Sequence, residues 1–232
     1  MKEHMPSFDG EIAGVKGIHM LDYDAIAKDE KFDQYLSLLK DADVDALAPP
    51  EQLAFWMNAY NALCVSLLIK NWDKVKGSNG KYTINNLSSS GNPVWDQEAG
   101  IIGGKPYSLN DIEHKELRGK WDEPAVHGCI VCASASCPNL RQEAFVGTRV
   151  KDQMDDQIRL WMKNDTKGLS LQGRKLFVSR IFLWFGDDFG GWEGLRKWLP
   201  QYLEDGEAKT RIEKDAVALR FFEYNWETNL KV

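Results

Sequence analysis

Three of the four cysteines and one of the four histidines lie in the segment His127-Gly128-Cys129-Ile130-Val131-Cys132-Ala133-Ser134-Ala135-Ser136-Cys137. A thiolate is a strong nucleophile and an imidazole moves protons near neutral pH, so thiol chemistry would be sought here first. Residues 125–132, a small and β-branched run behind Pro124, predict a buried strand, and Pro138 would take the first position of a following helix. Cys137 would then lie at a helix N-terminus, where unpaired N–H groups and the dipole lower a thiol pKa. His127, ten positions upstream, could turn back to meet it, giving the thiol and imidazole pair of cysteine hydrolases. Alternatively, His127 is a satisfied core histidine and the cysteines are small buried apolar residues.

Other uses of the cluster fit the expected strand less well. Cys129 and Cys132 have redox-motif spacing, but alternation along a strand turns them to opposite faces. The same alternation splits His127, Cys129, Cys132 and Cys137 as a zinc set. A disulfide between Cys132 and Cys137 is sterically easier, because the Ala-Ser-Ala-Ser turn can bring two β-carbons together. No metal and no cofactor is assigned.

On a helix expected over 51–70, Asn58 and Asn61 share a face with Phe55, Ala62 and Val65, which draws two amides into an apolar surface. They either bond the backbone of a neighbouring loop or orient a histidine in a site. Glu113 falls inside the apolar arc of Leu109, Ile112 and Leu117, with His114 and Arg118 on its flank. That arrangement fits acid/base chemistry, or an ion pair of Glu113 with Arg118 or Arg141. The run Trp184-Phe185-Gly186-Asp187-Asp188-Phe189-Gly190-Gly191 is either the wall of a pocket or a tight helix stop. The candidate catalytic residues are therefore Cys137, His127, His114, Glu113, Asn58 and Asn61. Cys132, Ser136, Arg118, Trp184 and Asp188 are the candidate substrate-binding residues.

The elements that must position these residues form an α+β fold, a single compact domain rich in helix with a small sheet. One or two amphipathic helices are expected across 22–39, and a central helix at about 51–70, apolar on all sides, opens at Pro49-Pro50. Gly, Ser and Asn clusters predict a long surface loop at about 71–104 with little regular structure. A hairpin turning at Gly103-Gly104 leads into a helix over 109–118. Beyond the cysteine segment come a helix near 152–163, a hairpin over 169–178, helices from 179 and over 192–203, and a strand over 218–224. Residues 1–20 are expected to be an N-terminal extension of a domain spanning 21–232.

With 232 residues, 43% of them hydrophobic, and nine tryptophans spread along it, the chain can bury a substantial core. A net charge of −6 without any basic run argues against a nucleic-acid partner. No run of about 18 apolar residues is present, so no membrane span is expected. The polar start is no signal peptide, which points to the cytoplasm, although an N-terminal targeting segment removed upstream stays open. The expected partner is a small molecule or a protein of unknown identity.

Taken in order, Phe55-Trp56-Met57-Asn58-Ala59-Tyr60-Asn61-Ala62-Leu63, Ser108-Leu109-Asn110-Asp111-Ile112-Glu113-His114, Val126-His127, Ser136-Cys137-Pro138, Trp184 with Asp188-Phe189, and Asn225-Trp226 resemble domain of unknown function family 547. The resemblance runs from the central helix to the C-terminus. It implies cysteines at the positions of Cys132 and Cys137, with Cys129 as local packing. It also matches Asn58, Asn61, Glu113, His114, His127 and Cys137 to shared motifs, which implies one convergent site. The Gly128-Cys129 pair departs from the family, where an aromatic followed by alanine is commoner, and this puts the shape of the pocket in question.

The family supplies a pattern and no reaction, so whether the chain is an enzyme stays open. The leading expectation is a thiol-dependent hydrolase or acyl transferase built on Cys137, with His127 or His114 as base. Against it stand a non-catalytic interaction module with a buried polar network, and a thiol redox sensor at Cys132 and Cys137.

Overall fold

A computed structural model of the chain describes His4 and residues 9–78 and 80–231. An antiparallel hairpin of β1 (Asp9–Ile12) and β2 (Val15–His19) leads into the helices α1 (Tyr23–Ile26) and α2 (Glu30–Lys40). Asp22 and Asp29 accept the first free N–H groups of these helices and so fix where they begin. The hairpin is tied to the body through Asn139, whose amide donates to Gly17 O and accepts from His19 N.

The long helix α3 (Pro49–Lys70) starts at the proline pair, where a missing N–H costs nothing. Leu53, Trp56, Met57, Tyr60, Leu63, Val65 and Leu68 are all buried, and they lie all around its circumference. It is long and apolar enough to cross a membrane, yet most of it lies inside the protein. A helix apolar on every side is stable in water only when other elements surround it.

Residues 71–104 are not the irregular surface loop their composition predicts. They hold α4 (Trp72–Val75), 3-10 turns at Ile84–Leu87 and Val94–Asp96, and the start of a hairpin, β3 (Glu98–Ile102) with β4 (Lys105–Ser108). Val75, Ile84, Val94 and Ala99 are buried, and the amides of Asn86 and Gln97 hold the carbonyls of Val75 and Leu87. Single apolar anchors separated by irregular intervals have no period, so turn residues dominate the sequence signal. After β4, Ser108 and Asp111 cap one another reciprocally, and the chain forms a π-helical segment, Asp111–Leu117, where an α-helix was expected. Wide turns of this kind recur at functional sites.

The expected strand over 125–132 does not form. Pro124–Gly128 is a 3-10 turn, no helix follows Pro138, and regular structure returns only at Gly147–Arg149 and α5 (Val150–Met162). A small, β-branched composition reports close packing as much as it reports a strand. Gly128 shows this, since a β-carbon there would stand 2.3 Å from Ile158 Cδ1 on α5. An aromatic at this position would require the Ile158 side chain to give way, with Trp161 close beside it.

Without a ladder, the backbone of 129–145 is bonded by side chains and by the C-terminal segment. Asn61 donates to Cys129 O at 2.9 Å and accepts from Val131 N at 2.8 Å; Asn58 does the same for Phe145 O and N at 2.8 and 2.9 Å. The N–H groups of Ala135 and Ser136 donate to Glu227 O and Asn225 O, and Asn229 N donates to Ala133 O. Asn58 and Asn61 therefore fold the loop, and neither orients an imidazole. Replacing Asn61 with Ala is expected to destabilise the protein by about 3 kcal/mol in urea unfolding, because two buried backbone groups lose their partner.

The remaining chain makes β5 (Leu169–Gln172), β6 (Lys175–Val178), α6 (Ile181–Trp184), α7 (Gly191–Trp198), α8 (Glu207–Glu213) and β7 (Ala218–Phe221). The three strands form one sheet in the order β5-β6-β7, antiparallel and then parallel. The architecture is α+β, with helices around small sheets.

Candidate active site

A cavity of about 320 Å³ opens between α3, the π-helical segment, the cysteine loop, α6 and the C-terminal segment. Tyr60, Asn110, Glu113, His114, His127, Cys132 and Cys137 bring polar atoms to its lining, and the rest is apolar and aromatic. Four of the six expected catalytic residues thus converge. Asn58 and Asn61 line a separate cavity.

Cys137, the expected nucleophile, and Cys132 have different surroundings. Cys137 lies in a turn and not at a helix start, and burial pushes its thiol well above the usual range. Its sulfur accepts the Cys132 N–H at 3.2 Å. Cys132 is half-buried, and its sulfur lies 3.1 Å from the Ser134 hydroxyl and 3.3 Å from the Tyr224 hydroxyl. Hydrogen bonding from the Cys137 thiol, followed by these hydroxyls, lowers the Cys132 thiol to about 6 against the cost of desolvation. The two sulfurs share one titration in which Cys132 carries the charge. Ala133, next to it, holds a left-handed φ of 59°, a strain that side chains other than glycine rarely bear and that collects at functional sites. The buried Lys167 ammonium braces the same turn, donating to Cys137 O at 2.8 Å and Asn139 Oδ1 at 2.7 Å.

Across the cavity stands a chain of charge and imidazole. His127 Nε2 donates to Asp188 Oδ2 at 2.7 Å, and Arg118 grips both oxygens of that carboxylate, at 2.5 and 2.8 Å. These bonds hold Asp188 at about 2, and burial lowers His127 to about 4, so at neutral pH the ring is uncharged and its Nδ1 is bare. That nitrogen faces Glu113 Oε1 at 3.8 Å, while the Tyr60 hydroxyl donates to Glu113 Oε2 at 3.4 Å. Burial lifts Glu113 to about 7, which leaves it half-protonated at neutral pH. The Phe185 ring stacks on His127 with centroids 4.1 Å apart and fixes the plane of the imidazole. His114 is bonded to Arg118 through Nδ1, and burial lowers its pKa.

The other expected contacts are placed as follows. Trp184 lines the cavity, whereas Arg118 and Asp188 stand behind His127. Ser136 is buried and accepts the Asn225 N–H at 2.8 Å, so it belongs to the fold. Tyr60, Tyr224 and Trp226 also line the site; in the sequence Tyr60 is one apolar position of the central helix and Tyr224 the end of the expected strand over 218–224, since a hydroxyl aimed at a sulfur or carboxylate leaves no periodic trace. Among the described residues, no group of three or more His, Cys, Asp or Glu is disposed to hold a metal ion.

Raising the pKa of Glu113 couples the site to stability. The folded chain keeps a proton between about 4.5 and 7 that the unfolded chain has released, so stability falls as pH rises through that window. Glu113→Gln, which mimics the protonated acid, is expected to gain on the order of 3 kcal/mol over the native protein between pH 4 and pH 8. Urea unfolding at the two pH values measures it.

A family model described as Protein of unknown function, DUF547 matches residues 44–162, more than half of the chain. The chain belongs to the DUF547 family. No curated protein matches it, and no solved structure does. The matched span of this DUF547 protein carries Glu113, His127, Cys132 and Cys137, while Asp188, Trp184, Tyr224 and Trp226 come from beyond it.

Proposed function

We propose that this DUF547 protein is a thiol-dependent acyl-transfer enzyme, a hydrolase or an acyltransferase, with Cys132 as nucleophile. One observation carries the proposal: the Cys132 sulfur, held by the Ser134 and Tyr224 hydroxyls at 3.1 and 3.3 Å, and the buried Glu113 carboxyl line the same cavity, where hydrogen bonding lowers the thiol pKa and burial raises that of the carboxyl. The Cys132 thiolate attacks the carbonyl carbon of an ester, thioester or amide, and Glu113 gives its proton to the leaving group as that bond breaks. Water, or an acceptor hydroxyl or amine, then attacks the thioester while the Glu113 carboxylate takes its proton, and the thiolate leaves. His127 acts through Glu113, holding a bare Nδ1 beside it, and Asp188 and Arg118 fix that tautomer. These are positioning roles.

The test is intact-mass analysis after mixing the protein with p-nitrophenyl acetate. A single acetyl group on Cys132, lost again with time or on adding an acceptor, is the expected result. Absence of any adduct, together with alkylation of Cys132 at the pH dependence of a free thiol, would sink the proposal.

A second function, reversible thiol oxidation, is favoured by the tight turn that joins the two cysteines, in which the Cys132 backbone N–H donates to the Cys137 sulfur at 3.2 Å and both side chains line the cavity. Peroxide would oxidise the Cys132 thiolate to a sulfenic acid, and the Cys137 thiol would displace water from it to close a disulfide. Mild hydrogen peroxide is expected to remove two hydrogens from the native mass, reversibly with a dithiol, and Cys137→Ser is expected to stop at the sulfenic acid. Recovery of both free thiols after peroxide treatment would exclude it.

A further inference from the structure

Part of the cavity lining is a cluster of aromatic rings. Trp184, Tyr224 and Trp226 pack on each other as a continuous wall, with ring centroids 4.7 Å apart for Trp184 and Tyr224, 4.6 Å for Tyr224 and Trp226, and 5.5 Å for the stacked indoles. Trp95 extends it, tilted against Trp226 at 6.0 Å. A large ring usually covers itself, yet Trp184 is 44% exposed and lines the cavity. The wall also begins at the nucleophile, since the hydroxyl of its central ring, Tyr224, is the one lying 3.3 Å from Cys132 Sγ. An acyl group joined to that sulfur shares the cavity with these rings, and among the described residues no flexible Met or Leu side chain lines it.

We infer that the site takes acyl donors whose acyl part carries a planar aromatic ring a short distance from the carbonyl, with Trp184 and Trp226 as the residues that set this preference. This rests on the acyl-transfer proposal above. A planar ring gains stacking on the wall that a linear chain of equal carbon count lacks, worth about threefold to tenfold in affinity. Paired ring faces reject bulk that is not flat, so a saturated ring should behave like the linear chain.

The experiment separates binding from reaction. In the first arm, Cys132→Ser protein is titrated with 3-phenylpropanoate, 3-cyclohexylpropanoate and nonanoate, following tryptophan fluorescence. In the second, native protein is acylated by the p-nitrophenyl esters of the same acids. The phenyl compound is expected to lead by about threefold to tenfold in both arms, and the lead should vanish in Trp184→Leu and in Trp226→Leu. Retained near-UV circular dichroism shows that each variant is folded. A phenyl preference in binding with no acylation supports the wall and overturns the acyl-transfer proposal. Acylation without a phenyl preference overturns the wall alone. A preference that survives both tryptophan substitutions overturns the assignment of the wall to these residues, and the absence of both binding and acylation overturns the whole inference.

Discussion

Cys132→Ala is expected to abolish acyl-enzyme formation, lowering turnover on the order of 10⁵-fold, because loss of a nucleophile removes the covalent route outright. Cys137→Ser is the sharper comparison. The Cys137 thiol is the largest cause of the low Cys132 pKa, and burial keeps Cys137 itself protonated. A serine hydroxyl in its place would reach less far toward the sulfur, so the charge on Cys132 loses support and its pKa rises. Alkylation by iodoacetamide against pH, read by intact mass, should therefore turn over near pH 6 in the native protein and at least one pH unit higher in Cys137→Ser. Equal alkylation of both cysteines would contradict the division of roles.

Asp188→Asn is expected to lower kcat by about 10²-fold with little change in KM, the lower end of an acid/base contribution, because Asp188 positions His127 and His127 in turn acts through Glu113. Geometry gives the reason. Asp188 alone accepts the His127 Nε2 proton, and it also cancels the Arg118 charge. Without it the imidazole loses its tautomer, and Arg118 acts unopposed on Glu113. Asp188 repels charge on Glu113 and Arg118 attracts it, so both changes lower the Glu113 pKa. The native kcat/KM profile should be a narrow bell, rising as Cys132 ionises near 6 and falling as Glu113 ionises near 7. In Asp188→Asn the falling limb should move to lower pH. A purely structural role would reduce the yield of folded protein and leave that limb where it was.

The sequence carries the fold better than it carries the site, for physical reasons. The helix α3 was legible because apolar residues at every angle leave only burial as an explanation, and α5 and the β5–β6 hairpin follow regular periods. Glu113 stood out as an acid in an apolar arc, and it is buried beside His127. Residues 125–138 misled because their small side chains serve a loop held by Asn58 and Asn61, whose hydrogen bonds cross 87 and 68 positions of sequence. The different surroundings of Cys132 and Cys137 depend in part on the Ser134 and Tyr224 hydroxyls at one sulfur, a contact spanning 92 positions in the second case. No local pattern encodes such a distance.

The C-terminal segment that bonds the cysteine turn has a consequence for timing. Residues 133–136 pair with Asn225, Glu227 and Asn229, and Tyr224 caps the Cys132 sulfur. During synthesis on the ribosome Cys132, Ser134 and Cys137 emerge together, 92 positions of sequence before Tyr224 in the case of Cys132, so their turn is completed only when the segment around Tyr224 docks.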